Sequence, residues 1–307
     1  MKNKLYIIFV SMLTFTFLSC NAEREDFQGE KYNSINAGDL KIYCDDSVFG
    51  LMDSTFSMYK NAYPKVNFSL ENVNAREAMK LLLSGNAEAV VISRGFRKDE
   101  DSLMKQFGVI RPKMKIATDA LVLFSKKDFP IDTLNDLQVK QIFKNELSFT
   151  QITTNLPEEP IIACNSTNSS EFSNIEQLIL NGEQVSRILK TFSSPDSVIN
   201  FVKNSKNALG VAYLSQIFGD KELKALEIGF TDASGYRVYP QEVHQGFILQ
   251  GKYPYCNEIS VYLREDRQNR AFWFASFISK EAVVMKYLKD MGIVPEYVKF
   301  KLKVEQN

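Results

Sequence analysis

A short apolar run, Ala-Val-Val-Ile at residues 89–92, stops abruptly at Ser93 and Arg94. A run this short and this rich in β-branched residues suits a strand covered on both faces of a sheet. The charged stretch 98–104 that follows opens a solvated helix. Ser93 and Arg94 are therefore expected at the carboxyl end of a parallel strand, where open α/β sheets hold their ligands, and an arginine there points to an anion. The preceding segments alternate in the same sense. A strand is expected at 39–44, a turn at 45–49 and an amphipathic helix over 50–61 that ends at Tyr63-Pro64; a strand at 66–70 and a helix over 75–83, with Asn74 as its N-cap, come next. Together these elements spell βαβαβ, half of a doubly wound α/β sheet.

Beyond residue 109 a long extended section runs to Phe124, and the spacing over 134–143 is helical. A strand at 160–164 leads into the polar loop 165–170 and a helix over 171–180, for which Asn168 or Ser169 is the expected cap. Ser194-Pro195 opens a further helix, and strands are expected at 207–213, 226–230 and 246–249 before a helical carboxyl-terminal region. Phe272, Trp273, Phe274 and Phe277 recur at helical spacing in that region, which makes them core rather than a stacking platform.

Lys2 and Lys4 precede an apolar run over 5–18 that ends in Leu18-Ser19-Cys20. The run is short for a membrane span and fits a signal peptide, residues 1–20. A small residue followed by cysteine resembles the lipobox of bacterial lipoproteins, so Cys20 is the expected lipidation site and the protein is expected in the cell envelope, anchored to a bacterial membrane. Residues 21–37 are polar and read as a linker.

Thirty-seven basic side chains balance 37 acidic ones, which leaves no basic stripe for nucleic acid, so any anion must be recognised locally. His244 is the single histidine, and Cys44, Cys164 and Cys256 follow no zinc spacing, so neither metal nor cofactor is expected. His244 itself reads as a half-buried strand residue. The three cysteines left after removal of the leader can form at most one disulfide, with the pairing open. Serine-rich loops without a base in register argue against an enzyme.

Residues 43–47, 85–94, 116–122, 134–143, 207–213 and 292–295, taken in order, resemble phosphate-binding proteins of ABC transporters, which are periplasmic binding proteins of the type II class. That resemblance implies two doubly wound α/β lobes joined by two crossing strands. Residues 38–118 and 222–307 would form one lobe and 119–221 the other, with the crossings near 116–120 and 213–217 as a hinge. It also implies a monomer that holds a small oxyanion, phosphate first, and passes it to an ABC permease. Carried over residue by residue, the ligand contacts would be Asp46, Ser47, Asn74, Ala75, Ser93 and Arg94 from the first lobe and Asn168, Ser169 and Ser170 from the second.

Where the family pattern has arginine, an acidic residue two positions on and then Ser-Gly-Thr, this chain has Cys164, Ser166 and Asn168-Ser169-Ser170. Arg94 is then the one arginine expected in the pocket, and Asp45 or Asp46 would have to supply the acidic hydrogen-bond acceptor that selects an anion still carrying a proton. The alternative is a cell-envelope interaction or sensing lipoprotein on the same fold with a degenerate ligand site.

Overall fold

In the computed structural model, which describes residues 37–108 and 110–297, the βαβαβ unit forms as β1 (Gly38–Asp45), α1 (Asp46–Ala62), β2 (Val66–Val73), α2 (Ala75–Leu83) and β3 (Ala89–Ile92). The leader, Cys20 and the linker up to residue 36 lie outside the described residues. β1 pairs in parallel with β2 on one side and β3 on the other, with Ile42 opposite Ala89. The helix expected from residue 50 begins at Asp46, because the Asp45 side chain accepts the Ser47 N–H and caps it four residues early. Asn74 caps α2 through the Glu77 N–H.

Every side chain of β3 is buried, and its two faces enter different clusters. Ala89 and Val91 join the large core, whereas Val90 and Ile92 pack with Ala75, Met79 and Tyr262. This alternation follows from the period of two along a strand. After α3 (Lys98–Phe107), the extended section becomes one long strand, β4 (Lys113–Lys126). The chain continues through β5 (Thr133–Asn135), α4 (Asp136–Phe143), β6 (Ile161–Asn165), α5 (Ser170–Asn174) with a π-helical turn at Ile175–Ile179, β7 (Lys190–Phe192), α6 (Pro195–Asn204) and β8 (Ala208–Tyr213). Ser169 is the cap of α5.

β9 (Leu223–Ala225), β10 (Glu227–Thr231), β11 (Arg237–Val238), β12 (Cys256–Leu263), α7 (Arg270–Lys280), α8 (Ala282–Asp290) and β13 (Val294–Pro295) complete the order. The main sheet runs β2-β1-β3-β12-β4-β8-β6-β7, and β11-β10-β5 form a smaller sheet. β4 is the spine: its first half pairs antiparallel with β12, and from Leu121 it pairs antiparallel with β8. β9 also pairs with its far end, Phe124 opposite Ala225, and β10 pairs with β5. At the changeover Asp119 is fully buried, accepting the Ala120 N–H at 2.7 Å and the Ser215 N–H at 3.4 Å.

Two local expectations are corrected. The segment 246–249, read as a strand, is a single helical turn, Gln245–Leu249, and His244 is an exposed cap whose Nδ1 accepts the Gly246 N–H rather than a half-buried strand residue. Separately, the segment where the second crossing is expected ends β8 at Tyr213 and continues as the helical turn Leu214–Ile217. The aromatic segment is core in part. Phe274 is buried and stacks edge-on against Tyr59 with ring centroids 5.1 Å apart, while Trp273 is exposed. Cys44, Cys164 and Cys256 are free thiols. No helix among the described residues is long and apolar enough to cross a membrane.

Candidate functional site

The carboxyl ends of β1 and β3 and the start of α5 meet at one carboxylate. Asp45 is the last residue of β1 and is fully buried. Its Oδ1 accepts the Ser47 N–H at 3.1 Å, and its Oδ2 faces the Ser93 N–H at 3.4 Å, Ser93 Oγ at 3.2 Å and, closer still, Ser170 Oγ. Two backbone N–H groups and two hydroxyls converge on this side chain, a donor set of the kind that holds an oxyanion. Ser93 is fixed from behind as well. Its carbonyl accepts from Asn174 Nδ2 at 2.9 Å, the Tyr213 phenol at 3.2 Å and Asn257 Nδ2 at 3.2 Å.

Two more carboxyl groups crowd the same place. Glu171 accepts from Ser47 Oγ, from Gln216 Nε2 at 3.0 Å and from Asn165 Nδ2 at 3.4 Å. Burial, and then repulsion from Asp45, raise its pKa. Asp46 is pushed up to about 8 by burial and by Asp45 and Glu171. The pKa of Asp46 thus lies well above the ordinary carboxylate range, and that of Glu171 is raised in the same direction. Among the described residues no group of His, Cys, Asp and Glu side chains is arranged to hold a metal ion.

Above this cluster lies a cavity of about 880 Å³ whose walls include Asp46, Ser47, Asn74, Asn168, Ser194 and Gln216. Among the described residues no lysine, arginine or histidine lines it. Ser93, Arg94 and Ser170 are buried and are not part of its walls. Asn168 also ties the two sides of the cavity together, its carbonyl accepting the Arg76 N–H at 3.1 Å.

Arg94 is turned elsewhere. Its guanidinium makes a two-pronged pair with Glu100, Nη1 to Oε2 at 2.8 Å and Nη2 to Oε1 at 2.9 Å, and Nη1 donates to the Gly95 carbonyl at 2.7 Å. The Ala75 carbonyl, 3.4 Å from Nη2, is also on this side. Of the nine sequence-derived contacts, then, Ser47, Ser93 and Ser170 surround Asp45. Asp46, Asn74 and Asn168 line the cavity, whereas Ser169 caps α5 through the Phe172 N–H and Ala75 and Arg94 lie on the far side of β3. Glu171, Asn174, Tyr213 and Gln216 were not among the expected contacts, and Asp45, expected only as an alternative acceptor to Asp46, stands at the centre. The available signals were local: Asp45 ends the first strand, Glu171 follows the expected serine, and Tyr213 brings a polar tip to the end of an apolar strand.

A PBP superfamily domain model matches residues 33–281. The chain belongs to the PBP superfamily. Within that superfamily, its fold superposes with a TM-score of 0.70 on a substrate-binding protein with bound phosphate from Clostridium perfringens, at 17% identity, covering 85% of this chain and 100% of the other. Protein SphX from Synechococcus elongatus is 20% identical over 259 residues, which span 81% of this chain and 75% of SphX. The phosphate-binding protein PstS of Pseudomonas aeruginosa is 32% identical over 108 residues, 35% of this chain and 33% of PstS. The likeness to the PBP superfamily therefore extends over most of the α/β body, residues 33–281, while the stronger identity is confined to about a third of the chain.

Proposed function

We propose that this chain is an extracytoplasmic solute-binding protein that closes two lobes around a small oxyanion, phosphate first, and serves ABC-type uptake without chemistry of its own. The observation that carries this reading is the convergence of the Ser47 and Ser93 N–H groups with the Ser93 and Ser170 hydroxyls on one point at the strand ends. The phosphate-bound and phosphate-binding relatives support it. Carboxyl groups at that point favour an anion that still carries a proton, as phosphate does, over sulfate, which carries none. The lobes are residues 38–118 with about 256–297, and residues 119–255. The pairing of β9 and β10 with the far end of β4 and with β5 supports assigning residues 222–255 to the second lobe. Cys20 carries the lipid anchor that holds a monomer at the envelope membrane, and Cys20→Ala releases it from the membrane fraction.

Isothermal titration of the soluble body with phosphate, with sulfate as control, tests the ligand. Heat with phosphate and little with sulfate is the expected result, and silence with both sinks the oxyanion reading. One observation favours a second reading, an interaction or sensing lipoprotein with a degenerate site: the cavity has no cation and Arg94 is committed to Glu100. That reading predicts a protein partner retained on the soluble body in pull-downs with no heat from phosphate.

A further inference from the structure

The donor set beneath the cavity is complete, and it is already in use. Its four donors satisfy Asp45, which sits where β1 ends and α1 begins, and they come from both sides of the seam: Ser47 and Ser93 on one side, Ser170 on the other. Among the described residues no basic side chain shares the point: both terminal nitrogens of Arg94 are engaged by Glu100 and the Gly95 and Ala75 carbonyls, and its Nε is buried without a partner. Arg76 is similarly engaged, by Asp99 and Glu100. A free anion entering here therefore meets a carboxylate in possession of its hydrogen-bond donors. Asp46 and Glu171 stand beside it, but each is hydrogen-bonded to Asn165 and oriented on its own partners rather than on the two backbone N–H groups.

The geometry points to Asp45 as a tethered occupant of the oxyanion site, a residue that sets specificity by holding the ligand's donors until a proton-bearing anion displaces its side chain. This rests on the oxyanion reading above. A tethered group is present at high effective concentration, so it weakens capture of every free anion. Once displaced, the carboxylate accepts a hydrogen bond from a protonated anion and repels a fully deprotonated one. Asp45 thereby lowers affinity and raises the preference for phosphate over sulfate.

The test is Asp45→Ser in the full soluble body. Serine is itself a good N-cap, so α1 keeps its start. Asp45→Asn, which keeps the size and one acceptor oxygen, is the second variant, and circular dichroism confirms that both are folded. Titration with phosphate and with sulfate is expected to show both anions bound more tightly by Asp45→Ser than by the parent, by roughly tenfold to a hundredfold, with the preference for phosphate reduced and Asp45→Asn in between. If the parent and both variants bind phosphate equally well, the tether is overturned while the oxyanion site stands. If folded parent and variants all fail to bind either anion, both the tether and the oxyanion reading fall. Tighter binding by Asp45→Ser with an undiminished preference for phosphate also overturns Asp45 as the specificity group.

Discussion

Ser93 and Arg94 are neighbours in sequence, yet they serve opposite sides of the same strand end. Ser93 continues the face of Ala89 and Val91 and meets Asp45, Tyr213 and Asn174 at the seam. Arg94 continues the face of Val90 and Ile92 and meets Glu100 under α3. On the Arg94 side the charges cancel: one buried guanidinium faces one buried carboxylate, with two prongs between them. On the Ser93 side three carboxyl groups meet only neutral donors. A finished ion pair is a structural joint, whereas an uncompensated group of acids is where protons or a ligand can change the energy. The difference teaches that position at a strand end marks a functional region, but that side-chain parity decides which residue faces it.

The sharpest way to break this comparison is Arg94→Ala. Removing one partner leaves Glu100 buried without its main counter-charge, which costs about 3–5 kcal/mol, read as a drop in stability in urea unfolding. A double replacement, Arg94→Met with Glu100→Leu, should recover most of the loss, because both charges leave together. If Arg94→Ala instead keeps full stability and abolishes phosphate binding, Arg94 belongs to the ligand after all.

On the other face, Tyr213→Phe removes a phenol that lies 2.8 Å from Asn174 Nδ2 and 3.0 Å from Ser93 Oγ. The expected loss is about 1–2 kcal/mol, since buried partners are left unsatisfied. An unchanged unfolding midpoint would show that the seam does not depend on this residue.

Acidification sharpens the contrast further. Asp46, raised to about 8, and Glu171, also raised, bind protons more tightly in the folded protein than in the unfolded chain. Asp119, raised by burial to about 6, adds to the same trend. A raised carboxyl pKa means that the folded state holds more protons between the ordinary carboxylate value and the raised one, so stability falls as pH rises through that window. The melting temperature should therefore climb as pH is lowered from 8 toward 5, and Glu171→Gln should flatten the slope. A melting temperature that falls over that range would contradict the assignment. The smallest effect is expected from Arg76→Ala. Arg76 also touches Glu100, but it is substantially exposed, so its loss should stay within about 1 kcal/mol.

The sequence made the βαβαβ unit, the caps at Asn74 and Ser194 and the serines of the site legible, because caps and strand ends are local chemistry. Arg94 was harder. Its partner Glu100 lies in an acidic run, Asp99-Glu100-Asp101, which has the composition of a solvated helix start, and only the approach of α3 to β3 buries one acid of the three. Glu171, Tyr213 and Gln216 could not be assembled from spacing, since the groups they meet, Ser47 and Ser93, lie far away along the chain. The turn at Gln245–Leu249 was missed for a local reason: an apolar run of strand length folds as helix when the residue before it offers a capping nitrogen.

β4 has a bearing on how the chain comes to be folded. Ala117 in that strand has Ile259 as its partner, and Ala120 has Cys256, so the centre of the main sheet waits for residues made long after it. Contacts so distant along the chain make folding slow. During synthesis the early βαβαβ segment can form local pairs, but β4 stays without its neighbour on that side until β12 has emerged. The nascent polypeptide thus remains incompletely folded for most of its translation, and the last third of the sequence decides when the fold locks.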